Sequence, residues 1–308
     1  MTALATSQAA SHAGDDQETA TAPRADCIAD SAGGLTFDVT DTGEPGLRDA
    51  AYLLLRRRES DDEVRLPLSP SADGRLRAAL PSSVELAEGR WNAYVQVAGG
   101  EPHRLMPGVN DLRSLVDRAP SGSRGHVAVR IPYATKQGNL SVRSWLRAPH
   151  AEAGQIELAD AAMTVHGRLY GTALTDAAYA EAVRRAEPDL VHRSDVIVEG
   201  PRFTFGVRHG LLADSGPGPW DLWLRPAGEN GPRVRLARLL DDIPDKKTIF
   251  TYPAARFVTA AHGAVEAGPY YTNDNDLAVR VREARAERES AASGAEEESD
   301  GAGSGIQS

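Results

Sequence analysis

The pair Asp274 and Asp276, in the run Tyr270-Tyr-Thr-Asn-Asp-Asn-Asp276, is the arrangement in this chain best suited to chemistry. Two carboxylates one residue apart present hard oxygen ligands that suit a divalent cation. Beside a nucleotide such a pair can hold the metal of a sugar transfer. Tyr271, just upstream, offers a flat ring on which a sugar could stack. The competing reading is a polar hairpin turn with Tyr271 packed on a core, because Asn and Asp tolerate the bent backbone of a turn. A second candidate is a pair of aromatics, Tyr94 and Trp223. They occupy equivalent outward positions on two similar strands and mark a contact surface for carbohydrate or for a neighbouring domain.

Other chemistries leave no trace. There is no GxxxxGK[ST] phosphate cradle, no GxGxxG between a strand and a helix, and no GxSxG elbow. The eight histidines are scattered and form neither HxH nor HExxH, so a zinc site is not expected. The single cysteine, Cys27, excludes an internal disulfide and a cysteine-based metal cluster. It reads as a bystander in a floppy leader. No catalytic residue, cofactor or metal ligand is assigned.

The net charge of −10 argues against a general nucleic-acid or membrane-surface binder, since phosphate attraction needs a basic face. Much of the excess is local, in Asp15, Asp16 and Glu18 and in Glu296, Glu297, Glu298 and Asp300, so the remainder is close to neutral. No apolar run is long enough to span a bilayer, and the first residues lack a basic and then apolar signal pattern. A cytoplasmic protein is expected.

The elements that must position the candidates come in two copies. Asp49-Ala-Ala-Tyr52 recurs as Asp176-Ala-Ala-Tyr179, and Gly74-Arg-Leu-Arg-Ala-Ala79 as Gly200-Pro-Arg-Phe-Thr-Phe205. Gly89-Arg-Trp-Asn-Ala-Tyr-Val-Gln-Val97 recurs as Gly218-Pro-Trp-Asp-Leu-Trp-Leu-Arg225. Pro132-Tyr-Ala-Thr-Lys-Gln-Gly-Asn-Leu-Ser-Val-Arg143 recurs as Pro269-Tyr-Tyr-Thr-Asn-Asp-Asn-Asp-Leu-Ala-Val-Arg280. Four anchors in one order define an internal duplication. It also weighs on the acidic pair: the first copy has Gln137 and Asn139 at those positions, which cannot supply paired charges, so the turn reading is preferred.

Strict alternation in the Trp strands marks half-buried strands, with Trp91, Ala93 and Val95 on one face and Trp220, Leu222 and Leu224 on its equivalent. Many short strands between Gly, Pro and Asn predict an all-β chain of two tandem Ig-like antiparallel β-sandwich domains with disordered termini. Asp176–Glu187 has helical propensity, but its copy is a better strand, and both are read as strands. The boundaries are a leader over 1–33, copy one over 34–148, a linker over 149–159, copy two over 160–284 and an acidic tail over 285–308. The ends are too poor in large apolar side chains to offset the entropy of ordering.

The paired units, with Trp-Asp-Leu-Trp-Leu-Arg and Tyr-x-Thr-x-x-x-x-Leu-x-Val-Arg, resemble small β-sandwich domains attached to actinobacterial glycosyltransferases and CDP-glycerol glycerophosphotransferases of wall-polymer synthesis. The resemblance spans roughly 35–284. It implies an accessory module whose catalytic partner is a separate nucleotide-sugar fold, and it carries over no catalytic residue. The expected role is therefore non-catalytic: a tandem β-sandwich that binds or scaffolds a protein partner, such as such a transferase, or a glycan. The alternatives are a transferase with a site between the domains, using Asp274, Asp276 and Tyr271, and a carbohydrate-binding module using Trp223 and Tyr94.

Overall fold

The computed structural model describes residues 22–40, 50–116, 118–120, 125–159 and 161–284. The first unit contains strands β1 (Arg24–Ala29), β2 (Leu35–Val39), β3 (Ala51–Arg57), β4 (Glu63–Pro67), β5 (Ser69–Pro70), β6 (Leu76–Leu80), β7 (Gly89–Val97), β8 (His103–Arg104), β9 (Met106–Asp111), β10 (Val127–Ala134) and β11 (Leu140–Arg147). The second contains β12 (His150–Ala159), β13 (Ala162–Tyr170), β14 (Tyr179–Arg184), β15 (Glu187–Glu199), β16 (Arg202–Arg208), β17 (Gly218–Arg225), β18 (Val234–Ala237), β19 (Ala255–Thr259), β20 (Gly263–Tyr271) and β21 (Leu277–Glu283). One short helix, α1 (His209–Ala213), follows β16. Among the described residues no helix is long and apolar enough to cross a membrane.

The pairings around the recurring sequence anchors match between the two units. Trp91 lies opposite Arg57 and Val142, and Trp220 lies opposite Arg184 and Val279. Pro132 pairs with Val142 as Pro269 pairs with Val279. β1 runs parallel to β9, as β12 runs parallel to β18. The hairpin turns match as well: Thr135 and Thr272 each accept a backbone bond three residues on, and Gly138 and Asn275 both stand at positive φ, 76° and 61°. Asp176–Glu187 contributes strand β14, as its copy does with β3.

The chain is all-β, as expected, but the sheets are not arranged as two simple Ig-like sandwiches. In the second unit β12, β13, β16, β15, β14, β17 and β18 close into a seven-stranded ring. The closing device is β15, 13 residues long: its first part pairs with β14, and from Val196 it pairs with β16. A strand shared by both layers leaves no free edge there. The first unit follows the same path with two interruptions. Leu68 divides β4 from β5 and Leu105 divides β8 from β9; both are buried where the chain passes from one sheet to the other. Alternation reports which face of a strand is buried, but not which strands it joins, so closure was not readable from it.

Two segments expected to lie outside the domains belong to the fold. Arg24–Ala29, placed in the leader, is a strand whose Ala25, Cys27 and Ala29 are buried. Cys27 is therefore a core residue, and burial pushes its thiol pKa up. His150–Ala159, placed in the linker, is β12, with Ala151 and Ala153 buried. A bulge at Gly154 and Gln155 shifts the phase of this strand, which hid its period of two. Residues 1–21 of the expected leader and the tail from 285 lie outside the described residues.

Each unit encloses its own core, around Phe37, Leu53, Trp91 and Val142 in the first and Phe203, Phe205, Trp220 and Leu277 in the second. The first core also takes in Ala237 and Leu239, which leave the end of β18. The two units thus share apolar packing.

Candidate functional site

The turn between β20 and β21 forms because Thr272 holds it from within. Its Oγ1 accepts the backbone N–H groups of Asp274 and Asp276, both at 3.2 Å. Asn275 adopts a left-handed backbone, which Asn tolerates. Its buried side chain accepts the Lys246 N–H at 3.0 Å and donates to the Pro244 carbonyl at 3.4 Å. These bonds tie the turn to the loop after β18. That loop is fastened in turn by Glu152, whose carboxylate accepts the N–H groups of Leu239 and Leu240 and meets His150 Nε2 at 2.7 Å. The Lys246 ammonium is buried against Asp241 and the Ile243 carbonyl, and burial lowers its pKa.

So braced, the turn docks on the last strand of the first unit. Arg143 pairs with Asp274, and Trp145 Nε1 donates to the Asp274 carbonyl at 3.1 Å. Arg147 bridges Glu88 at 2.6 Å and Asp276 at 3.3 Å. Arg235 approaches Asp276 at 3.6 Å, and Arg90 donates to the Asn273 carbonyl at 3.3 Å. Trp145 is fully buried, with the Arg143 guanidinium 4.9 Å from its ring centre. Burial raises the Asp276 pKa, against the pull of Arg147 and Arg235. Both carboxylates of the Asp-x-Asp pair are thus engaged by guanidinium groups.

Tyr271 is fully buried. It meets Phe250 edge-on with centroids 5.7 Å apart and lies beside Tyr252 at 6.4 Å. Burial pushes its phenol pKa up. Among the described residues no group of three or more His, Cys, Asp or Glu is placed to hold a metal.

Tyr94 and Trp223 do stand at equivalent outward positions, and each carries two guanidinium groups. Arg56 and Arg104 lie 5.3 and 4.8 Å from the Tyr94 ring; Arg233 and Arg235 lie 4.8 and 4.9 Å from Trp223. The next pair repeats as well, with Arg65 at 4.0 Å over Tyr52 and Arg193 at 4.8 Å over Tyr179. Such stacking holds a charged group against a ring while leaving its N–H edge available.

The two faces differ in their acids. In the second unit Glu181 lies beside Trp223 and Arg193 on neighbouring strands, and it pairs with Arg225 and Arg233. Asp221 pairs with Arg185 and Arg235. Burial opposes its ionisation, but the two arginines win and lower its pKa. In the first unit Leu54 takes the place of Glu181, between Tyr94 and Arg65, and Asn92 takes the place of Asp221. The joint engages Asp274 and Asp276, and Trp223 adjoins it through Arg235, which lies over its ring and approaches Asp276. Arg56, Arg58, Arg65 and Arg104 were missed in the sequence, although aligning Trp91-Asn92 with Trp220-Asp221 exposes the change that sets them apart.

No family model matches the chain, and no curated protein matches it. Solved structures give distant likenesses. Staphylococcus aureus TarS is 14% identical over 59% of this chain and 35% of its own, with a TM-score of 0.27. A pullulanase from Anoxybacillus sp. LM18-11, solved with maltotriose, is 12% identical over 76% of this chain and 30% of its own, at 0.25. A tetra-tandem repeat from the extending region of a large adhesion protein is 12% identical over 85% of this chain and 88% of its own, at 0.22. The chain spans about a third of the first two. At these TM-scores the likenesses carry neither a family nor an activity to this chain.

Proposed function

We propose that this is a non-catalytic protein of two duplicated β units, about 22–148 and 150–284, that binds or scaffolds partners in the assembly of a glycan or wall polymer. One observation carries the reading. The residues that distinguish the second copy and could have held a metal, Asp274 and Asp276, pair with Arg143 and Arg147 at the joint between the units. The features left facing outward are aromatic rings with guanidinium groups over them, which suit binding rather than bond-breaking. The resemblance to accessory domains of wall-polymer transferases supplies the setting.

Glycan binding by the outward aromatics is a second form of the same role, favoured by the recurrence of Tyr94 and Trp223. Calorimetry with nucleotide sugars and manganese tests the reading. It predicts no heat and no turnover. Turnover that disappears in the Asp274→Asn, Asp276→Asn double variant, with the fold intact, would overturn it.

A further inference from the structure

Resting on that binding role, we infer that the outer face of the first unit recognises an anionic, hydroxyl-rich chain, through Arg58, Arg65 and Arg104 with the rings of Tyr52 and Tyr94. The chemistry is a repeated anionic group, phosphate or carboxylate, on a polyol or sugar backbone.

The second unit serves as the internal comparison. Its face has the same Arg-over-aromatic pairs, but each arginine meets an acid: Arg233 pairs with Glu181, Arg235 with Asp221 and Arg193 with Glu229. In the first unit the equivalent arginines meet only neutral acceptors. Arg58 Nε donates to Asn92 Oδ1 at 3.0 Å, Arg65 to Gln96 Oε1 at 3.3 Å, and Arg104 to the Ala93 carbonyl at 2.9 Å. Among the described residues none of the three is ion-paired, whereas Arg56 is held by Glu63 at 2.7 Å. The turn after β3 carries Glu59, Asp61 and Asp62, and Asp62 is taken by Arg57 at 2.9 Å.

A guanidinium left with free N–H groups presents a planar fork to phosphate or carboxylate oxygens. Arg58 and Arg65 are exposed and Arg104 is half-buried. Burial lowers the Arg104 pKa, and the like charge of Arg58 adds to this. An anion bound here would offset both effects. The tyrosine rings hold the guanidinium groups of Arg65 and Arg104 in place by stacking, which leaves their N–H edges for the ligand. The overall charge of −10 gives no long-range attraction for a dense polyanion, so recognition must be local. The proposed setting in glycan or wall-polymer assembly favours a polyol or sugar backbone over a nucleic acid.

The test titrates the full chain with polyglycerol phosphate, polygalacturonate, neutral dextran and single-stranded RNA. The key variant is Asn92→Asp, which imports the second unit's acid and can still accept from Arg58 at 3.0 Å and Ser141 at 3.1 Å. One of the two anionic chains should bind, identifying phosphate or carboxylate as the group read, and binding should weaken as salt rises. Asn92→Asp should weaken it about fivefold or more without lowering the melting temperature, and Arg65→Gln with Arg104→Gln by about tenfold. Asp221→Asn should cause no loss. Binding of neither anionic chain, equal binding by these variants, or tighter binding of RNA would each overturn the inference. Turnover of a nucleotide sugar would instead overturn the non-catalytic role and leave this comparison standing.

Discussion

Asn92 and Asp221 have side chains of the same shape, yet they give opposite characters to two matching surfaces. Asp221 fixes Arg185 and Arg235, while Asn92 accepts from Arg58 and leaves its charge uncompensated. That contrast was legible in the sequence once the Trp strands were aligned. The part played by Asp274 was not, because its partner Arg143 lies in the other unit. Single residues also set the response to pH. His209 is buried, and burial holds its pKa below the ordinary 6.5. A base with a depressed folded pKa takes up protons more readily when unfolded, so its contribution is complete above pH 6.5 and is lost as pH falls toward the folded value. His209→Leu should reduce this acid loss. Urea midpoints at about pH 7.5 and pH 5.5 should then differ less in the variant than in the wild type; an unchanged difference would remove His209 from the account.

At the scale of elements, the duplicated hairpins separate what a turn needs from what the joint needs. Gly138 and Asn275 share one left-handed backbone position, but a Cβ on Gly138 would meet nothing within 4 Å, while the Asn275 side chain is buried and bonded. Gly138→Ala should therefore cost about 1 kcal/mol, the backbone term alone. Asn275→Ala should cost about 2–3 kcal/mol, adding a lost hydrogen bond and an unpaired Lys246 N–H to the same strain. Chemical denaturation of the two variants reads the difference, and equal losses would contradict it. Most strands were visible as alternation, including the Trp strands and both Pro-Tyr hairpins. β1 escaped because its buried residues are Ala and Cys, too weakly apolar to stand out. β12 escaped because its bulge breaks the alternation. The ring of strands in the second unit rests on the shared pairing of β15, a long-range fact that no local pattern contains.

At the scale of the molecule, the units are joined by a buried Trp145, by Leu239 in the first core and by guanidinium–carboxylate pairs around the turn. Such a joint couples the two units, so thermal unfolding should be one transition in the wild type. Trp145→Ala removes the large buried ring and the bond to the Asp274 carbonyl, and should lower stability by about 3–5 kcal/mol and split the transition in two. A single unshifted transition would show that the units do not depend on each other.

Calorimetry of the wild type and the Asp274→Asn, Asp276→Asn variant, each with chelator and with manganese, distinguishes a joint from a metal site at the acidic pair. Asp274 is 58% exposed, so solvent screens its bond to Arg143, and the double change should cost only about 1–3 kcal/mol. The melting temperature should fall in the variant, and manganese should change neither protein. A wild-type melting temperature raised by manganese, with that rise lost in a variant otherwise as stable, would contradict it.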